Sequence, residues 1–297
     1  MAVRFILGPA GSGKTRYCLT GLRQLELAGR PGIFLVPEQF TYTAERSLLE
    51  PREMAGLRHV HVFSFTRFGW WLRDLAAAPP VLAISPIARP MLLRSILSRL
   101  DAADLGPLAP LRARQGLLDE LSSFIREVRN HGSVDFLDAV RRIAEEPSSP
   151  GAASPVPAGL RKKVAVLGCL FEMYNTALRD MSRIDPEQKL HGLEPVIAGC
   201  REEVARTEFF VDGFLSWTRR EREILVALAL TGARMHIALC CERPQGDRIP
   251  LIPATRSLEG MTRQMEAAGV TVEEPLLLAG PHRRPARFMS ARLALLE

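Results

Sequence analysis

Short apolar runs and amphipathic stretches alternate at both ends of the chain. Residues 3–7 are mostly apolar, rich in β-branched and aromatic side chains, and too few for a helix, so they predict a buried strand. Similar runs predict strands at 33–36, 209–211 and 235–240, and alternating apolar residues predict another at 59–63. Three- and four-residue apolar spacing predicts a helix through Cys18, Leu22 and Leu25 that ends near Gly29, and others over 41–49, 65–72, 218–230 and 258–268. This alternation predicts an α/β fold with a parallel, doubly wound sheet.

The middle of the chain has a different pattern, without recognisable strands. Helical spacing of apolar residues predicts helices over 87–100, 111–131, 134–146, 159–182 and 187–205. A stretch rich in Pro, Ser and Ala predicts a mobile surface loop over 147–158. We therefore predict a discontinuous sheet domain formed by residues 1–84 and 207–297, with an all-helical subdomain inserted over 85–206.

Composition narrows the class of protein. Of the 297 residues, 47% are hydrophobic and 24% are charged, which is typical of a folded globular protein. No run approaches the ~20 apolar residues of a membrane span, and the N-terminus lacks a signal-peptide layout, so we expect a cytoplasmic protein without a membrane partner. Five cysteines without a CxxC pair indicate reduced core thiols. The formal net charge of +6 is compatible with a polyanionic partner without requiring one.

The clearest chemical signal follows the first strand. It satisfies the pattern G-x-x-x-x-G-K-[ST] with Gly8, Pro9, Ala10, Gly11, Ser12, Gly13, Lys14 and Thr15. Glycines let successive backbone N–H groups turn inward around phosphate oxygens, and the following helix offers its positive N-terminus. Lys14 would reach the β- and γ-phosphates and Thr15 would bind Mg²⁺. The motif predicts ATP and Mg²⁺ as ligands.

A second acid completes the expected nucleotide site. The strand at 209–211 ends in Asp212, which is our candidate for the carboxylate on the Mg²⁺ side. ATPases that move along nucleic acid usually carry a glutamate directly after this aspartate to polarise water, whereas here the next residue is Gly213. Because glycine cannot act as a base, the sequence supports nucleotide binding better than hydrolysis.

Several blocks of sequence, in order, carry a family resemblance. The chain resembles the N-terminal part of AddB-type (RexB-like) subunits of the bacterial ATP-dependent helicase–nucleases AddAB, which process double-strand breaks for repair and recombination. The matching blocks are 5–15, 34–41, 45–49, 62–67 and 211–214. The Pro37-Glu38-Gln39 and Asp212-Gly213-Phe214 segments are the more family-specific ones.

The resemblance implies a fold, ligands and a partner. It implies a RecA-like P-loop NTPase lobe of superfamily 1 helicases with a helical insertion, an AddA-type partner subunit, and single- and double-stranded DNA as ligands. The segments after the second and third strands would lie near DNA, held without sequence readout by Thr41, Thr43, Ser64, Phe65, Thr66 and Arg67. The iron–sulfur cluster of the family is expected only in a C-terminal part beyond Glu297.

Other interpretations stay open at this stage. Phe40, Phe63, Phe65, Phe68 and Trp71 fall at strand and helix spacing, which is more often typical of core residues than of stacking platforms. A free-standing P-loop small-molecule kinase could use Glu38 near the phosphates, but it leaves the Pro-Glu-Gln and Asp-Gly-Phe segments unexplained. A scaffold with a vestigial nucleotide site would be compatible with Gly213.

Overall fold

A computed structural model describes residues 3–50, 56–131, 133–145, 157–240 and 252–278. The chain divides into two compact units, one formed by Met1–Pro79 together with Gly192–Glu297 and the other by Pro80–His191. The loop expected over 147–158 lies outside the described residues except for its last two positions.

The first unit contains a six-stranded sheet. Its strands are β1 (Val3–Gly8), β2 (Gly32–Leu35), β3 (Val60–Phe63), β4 (Glu208–Val211), β5 (Arg234–Cys240) and β6 (Leu276–Leu277). They are all parallel, in the order β3-β2-β4-β5-β1-β6. The predicted α/β class with a parallel sheet is confirmed, and the sheet is consistent with a RecA-like P-loop domain. The edge strand β6 was not predicted because it is only two residues long.

The helices follow the predicted periodicity with shifted ends. They are α1 (Lys14–Leu27), α2 (Thr41–Leu49), α3 (Phe65–Leu75), α4 (Ala88–Arg99), α5 (Ala102–Leu105), α6 (Gln115–His131), α7 (Ser133–Glu145), α8 (Ala158–Asp180), α9 (Leu193–Gly199), α10 (Arg201–Arg206), α11 (Arg219–Leu230) and α12 (Ile252–Ala267). A short 3-10 turn, Glu38–Phe40, precedes α2. Among the described residues, no helix has both the length and the apolar character that a bilayer crossing requires.

The sheet unit is held together by apolar side chains from the strands and from α1. Cys18, Leu22 and Leu25 of α1 are buried, as their spacing predicts, against Phe34 and Phe210 of the sheet. The register places those two phenylalanines side by side on β2 and β4. This packing fixes α1 over the sheet, with its N-terminus at the carboxyl end of β1.

The helical unit has its own core. Buried residues of α4, α6 and α8 form one cluster, which includes Leu93, Leu97, Leu121, Ile125 and Phe171. One isolated bridge joins Ala83 and Ile184 near the two ends of this unit. The unit is therefore closed by contacts within 80–191.

The division of the chain differs from the expected insertion at 85–206. Helices α9 and α10 group with the sheet unit because Leu193, Ile197 and Val204 are buried and α9 contacts α3 and α11. The single helix expected over 187–205 is two helices, since Gly192 has a left-handed φ of 68° and Cys200 is non-helical between them.

The cysteines only partly follow their expected burial. Cys18 and Cys200 are buried free thiols, but Cys169 is exposed on α8 and Cys240 is half-buried at the end of β5. The expectation that all five are core thiols is wrong for Cys169, because it falls on the solvent face of α8 while its neighbours Leu170 and Phe171 are buried. Cys241 lies outside the described residues.

Candidate functional site

The glycine-rich loop connects β1 to α1 in a conformation that needs its glycines. Gly11 and Gly13 have φ values of 81° and 95°, in the left-handed region that side chains disfavour. Gly13 is the residue directly before α1, and the Ser12 amide donates to the Pro9 carbonyl at 3.2 Å. The loop thus turns sharply and places the N-terminus of α1 at the carboxyl edge of the sheet.

Lys14 is folded into this loop. Its Nζ donates to the carbonyl oxygens of Gly8 and Pro9, each at 2.7 Å, and to Ser12 Oγ at 3.4 Å. The side chain is buried, and no ion pair to a carboxylate is found for it among the described residues. The hydrogen-bond partners of the Lys14 ammonium are thus neutral oxygens, which an incoming anion can replace.

Gly8 has a packing requirement that the motif alone does not reveal. A Cβ at this position would lie 2.5 Å from both the Leu278 carbonyl oxygen and Ser12 Oγ. The Leu278 amide in turn donates to the Leu7 carbonyl at 2.7 Å. The backbone after β6 therefore supports the start of the loop, a contact that sequence reasoning missed because β6 is so short.

The structure brings Asp212 to Thr15. Asp212 follows β4 and is only 8% exposed, and its amide donates to the Leu35 carbonyl at 3.1 Å. Its carboxylate accepts a hydrogen bond from the Gly213 amide at 2.8 Å and lies beside the Thr15 hydroxyl. Burial raises the pKa of Asp212, although these two groups and the charge of Lys14 partly offset the effect. The carboxylate is therefore held in an unfavourable, poorly solvated position.

These residues fit the requirements of a Mg²⁺–nucleotide complex. Mg²⁺ binds hard oxygen ligands and is usually held by one or two protein oxygens together with phosphates and waters. Thr15 and Asp212 supply one hydroxyl and one carboxylate. Within the described part of the chain, no group of three or more His, Cys, Asp or Glu side chains could hold a metal by itself. The donor set thus suits a cation that arrives with phosphate rather than a permanent metal centre.

Both the backbone conformation of Gly213 and its surroundings disfavour a side chain at this position. Its φ is 85°, and a Cβ would lie 3.1 Å from Pro37 Cδ. Any residue with a side chain would be strained here and would press on the segment after β2. A glutamate at this position would therefore require a backbone conformation different from the one that Gly213 adopts.

The segment after β2 exposes aromatic rings. Phe40 is 48% exposed and Tyr42 is 73% exposed, and Thr43 is also exposed. Thr41 is buried, and its hydroxyl donates to the Glu38 carbonyl at 2.9 Å. Thr43 can thus reach a ligand, whereas Thr41 closes the local turn. Tyr42 was missed by sequence reasoning, and Phe40 is on the surface despite its core-like spacing.

The segment after β3 separates into buried and accessible residues. Ser64 is buried and caps α3, since its Oγ accepts from the Arg67 amide at 3.3 Å. Phe65 is 4% exposed, which leaves no ring face for a base. Thr66 is half-buried, and Arg67 is exposed with its guanidinium 3.8 Å from Glu45 and 6.0 Å from the Phe63 ring centre. Thr66 and Arg67 are the accessible members of this set.

A cavity of about 640 Å³ lies along α1 and is lined by Ser12 and Gly13 of the glycine-rich loop as well as by residues of the sheet. Tyr17 Oη lies 3.1 Å from His236 Nδ1, and His236 Nε2 lies 2.9 Å from Glu208 Oε1. The His236 ring stacks on Phe210, with ring centres 4.6 Å apart. Sequence reasoning did not identify this polar group, because its members are dispersed over 220 residues and follow no motif.

Comparison with known proteins identifies the family. The family described as "ADDB, N-terminal" matches residues 5–297. The B subunit of the ATP-dependent helicase/deoxyribonuclease of Desulforudis audaxviator is 31% identical over 295 residues, which cover 97% of this chain and 24% of that protein. The corresponding B subunits of Moorella thermoacetica and Pelotomaculum thermopropionicum are each 31% identical over the whole chain and 26% and 25% of their own lengths.

The chain thus spans about a quarter of the length of these relatives. The match extends over both units of the structure, and it includes the P-loop, the segments after β2 and β3, and the Asp-Gly-Phe segment. The chain belongs to the AddB family, within its N-terminal part.

Proposed function

We propose that the loop of residues 8–15 binds ATP with Mg²⁺. The observation that carries this proposal is the buried Lys14 ammonium, whose hydrogen bonds inside the loop all go to neutral oxygens. Incoming phosphate oxygens would replace these acceptors and accept from the inward-facing backbone amides. Thr15 and Asp212 would hold the Mg²⁺, which supplies charge neutralisation to the phosphates. Because Lys14 must exchange existing hydrogen bonds, we expect weak affinity in this chain alone.

We propose further that this segment hydrolyses ATP slowly or not at all. The described structure places no carboxylate directly after Asp212, where an attacking water would be polarised. The left-handed φ of Gly213, and the 3.1 Å that would separate a Cβ there from Pro37 Cδ, disfavour a glutamate at this position. Nucleotide occupancy rather than turnover is the proposed role of the site.

DNA is the second proposed ligand. Parallel strands present their carboxyl ends at one edge, so the segments after β2 and β3 emerge beside each other. Phe40 and Tyr42 offer rings for base stacking, and Thr43, Thr66 and Arg67 offer polar groups for phosphates. Such contacts recognise single-stranded DNA without reading its sequence.

These activities would serve a larger complex. The relatives are named as B subunits of an ATP-dependent helicase/deoxyribonuclease. We propose that this segment works with an AddA-type motor subunit on single- and double-stranded DNA in the bacterial cytoplasm, in double-strand break repair and recombination. Family membership disfavours the kinase hypothesis, which leaves the Pro-Glu-Gln and Asp-Gly-Phe segments without a purpose.

A nucleotide titration of the purified chain tests the proposal. We expect Mg²⁺-dependent binding of a fluorescent ATP analogue that Lys14→Ala abolishes. Lys162→Ala, an exposed lysine of α8, is the matched control and should bind as the wild type does. Equal affinity of wild type and Lys14→Ala would refute the nucleotide site, and rapid ATP turnover would refute the argument from Gly213.

A salt series with single-stranded DNA tests the second ligand. Arg67→Ala should weaken binding at low salt and reduce the slope of log affinity against log salt by about 1, as expected for one lost phosphate contact. Arg73→Ala, on the same helix, is the comparison variant. If the chain binds nucleotide but no DNA even at low salt, the vestigial scaffold is the better description.

A further inference from the structure

Two segments that the proposed function gives to different ligands are connected by packed residues. Asp212 is assigned to Mg²⁺, and the segment 64–67 at the start of α3 is assigned to DNA. Gly213 and Phe214 lie directly after Asp212 in the chain, and the proposed function leaves Phe214 without a role. Their contacts run from the first segment to the second.

The connection begins at the Asp212 carboxylate. Its Oδ1 accepts from the Gly213 amide at 2.8 Å, while the Asp212 amide is fixed to the end of β2 through the Leu35 carbonyl at 3.1 Å. A cation that takes this carboxylate oxygen competes with the Gly213 amide. The backbone before the carboxylate is anchored, so a change at the carboxylate is relieved in the Gly213 turn.

The turn at Gly213 packs against the segment after β2. The Cβ position of Gly213 lies 3.1 Å from Pro37 Cδ and 3.8 Å from Phe40 Cδ2. Phe40 is one of the exposed rings offered to DNA. A movement of the turn towards this segment would therefore bring it against Pro37, because little space separates the two.

Phe214 continues the connection to the segment after β3. Its ring meets the Phe65 ring edge-on, with centres 5.4 Å apart and an interplanar angle of 63°. Phe65 is the first residue of α3, directly before Thr66 and Arg67, and it is almost fully buried. Its ring faces the interior while the next two residues face the proposed ligand. Edge-on aromatic contacts are sensitive to orientation, so the two rings move together.

We propose that Phe214 is a positioning residue that couples the nucleotide site to the DNA-binding segments. This inference rests on the proposed function for the identity of both ligands. It predicts that Mg²⁺-nucleotide changes the affinity for single-stranded DNA by at least about fivefold, and that DNA changes the affinity for nucleotide by the same factor, as linkage requires. Replacing the ring should remove this coupling factor and leave each separate affinity nearly unchanged.

The experiment measures the coupling factor in the full 297-residue chain. Fluorescence anisotropy gives the affinity for a labelled oligothymidine with and without saturating Mg²⁺ and a non-hydrolysable ATP analogue. The test variant is Phe214→Leu, which retains apolar bulk, and Phe214→Met is a second version if the first fails to fold. Phe214→Tyr keeps the ring and should keep the coupling. Leu215→Ala alters the exposed neighbour and is the matched control.

The outcomes separate this inference from the proposed function. A coupling factor that falls to about 1 in Phe214→Leu, and persists in Phe214→Tyr and Leu215→Ala, supports the inference. Full coupling in Phe214→Leu overturns it. Binding of both ligands to the wild type without any coupling also overturns it, while the proposed function stands. Failure of the wild type to bind either ligand refutes the proposed function itself.

Discussion

Each unit of the molecule buries a cluster of charged side chains, but the two clusters balance their charges in different ways. In the sheet unit, Lys14 donates to carbonyl and hydroxyl oxygens, and Asp212 accepts from the Gly213 amide beside the Thr15 hydroxyl. In the helical unit, the Arg89 guanidinium lies 2.9 Å from Asp185 Oδ1 and also pairs with Glu187.

In the helical cluster, oppositely charged side chains are in direct contact. The Tyr174 hydroxyl donates to Asp185 Oδ2 at 2.6 Å, and Arg89 and Asp185 are almost completely buried. Burial raises the pKa of Asp185 but is outweighed by hydrogen bonds from Glu187 and Tyr174, so the net pKa is lowered. In the helical cluster the Arg89 guanidinium touches its carboxylates directly, whereas the hydrogen-bond partners of Lys14 are neutral oxygens that a ligand's phosphate oxygens can replace. This difference leads us to a binding role for the first cluster and a structural role for the second.

The largest expected effect comes from breaking the helical cluster. Arg89→Ala leaves the buried Asp185 carboxylate without its cation and should cost about 3–5 kcal/mol in the free energy of unfolding. Urea denaturation followed by circular dichroism measures this loss. Arg94→Ala, an exposed arginine of the same helix, should cost less than about 0.5 kcal/mol. Equal losses in the two variants would contradict the structural role of Arg89.

A smaller effect, in this case a gain in the free energy of unfolding, is expected from replacing Asp212. Since its folded pKa is raised, ionisation destabilises the folded state; this penalty is absent well below the ordinary pKa of 3.8 and complete above the raised pKa. Asp212→Asn keeps the acceptor for Gly213 and should raise stability at pH 7 by on the order of 1 kcal/mol, while Mg²⁺-dependent nucleotide binding is lost. Denaturation at pH 7 measures the gain in stability, and the nucleotide titration measures the loss of binding. A loss of stability in Asp212→Asn would contradict the first prediction.

The smallest effect concerns Glu208, which belongs to the sheet unit but not to the nucleotide site. The hydrogen bond from His236 outweighs burial and lowers the pKa of Glu208 below its ordinary value of 4.5. A lowered carboxyl pKa contributes stability at higher pH that is lost as the pH falls through the folded pKa. Glu208→Gln should therefore flatten the decline in stability below about pH 4.5, by about 1 kcal/mol, without changing nucleotide affinity. If the pH dependence of stability is the same in Glu208→Gln as in the wild type, the hydrogen bond between Glu208 and His236 does not contribute to it.

The sequence predicts one of the two clusters much better than the other. Lys14 and Thr15 lie in a motif whose spacing is set by the geometry of a phosphate, and Asp212 ends an apolar strand, so each leaves a local signal. Arg89 and Asp185 are 96 residues apart, and each resembles an ordinary charged residue of a helix or turn. Their pairing depends on how α4 and the segment after α8 pack, which no short pattern contains.

The same difference between local signals and long-range packing explains which strands and helices the sequence predicts correctly. Five strands were predicted because each shows a mostly apolar run or, at 59–63, a clear alternation, while Leu276–Leu277 is too short to stand out after two glutamates and a proline. Helices α9 and α10 were predicted as one because their apolar spacing is continuous, but Gly192 and Cys200 set their limits through backbone conformation. Phe65 shows the same limit at the proposed DNA segment, since the sequence cannot show that its ring turns inward to Phe214.

The most direct test of the contrast between the clusters is the thermal stabilisation that Mg²⁺-ATP confers on the chain. A ligand that binds only the folded state adds RT ln(1 + [L]/Kd) to the free energy of unfolding and so raises the unfolding temperature as its concentration increases. We predict a concentration-dependent rise in Tm for the wild type and for Arg94→Ala, and none for Lys14→Ala. An equal rise of Tm in the wild type and Lys14→Ala would contradict the assignment of the cluster in the sheet unit to ligand binding.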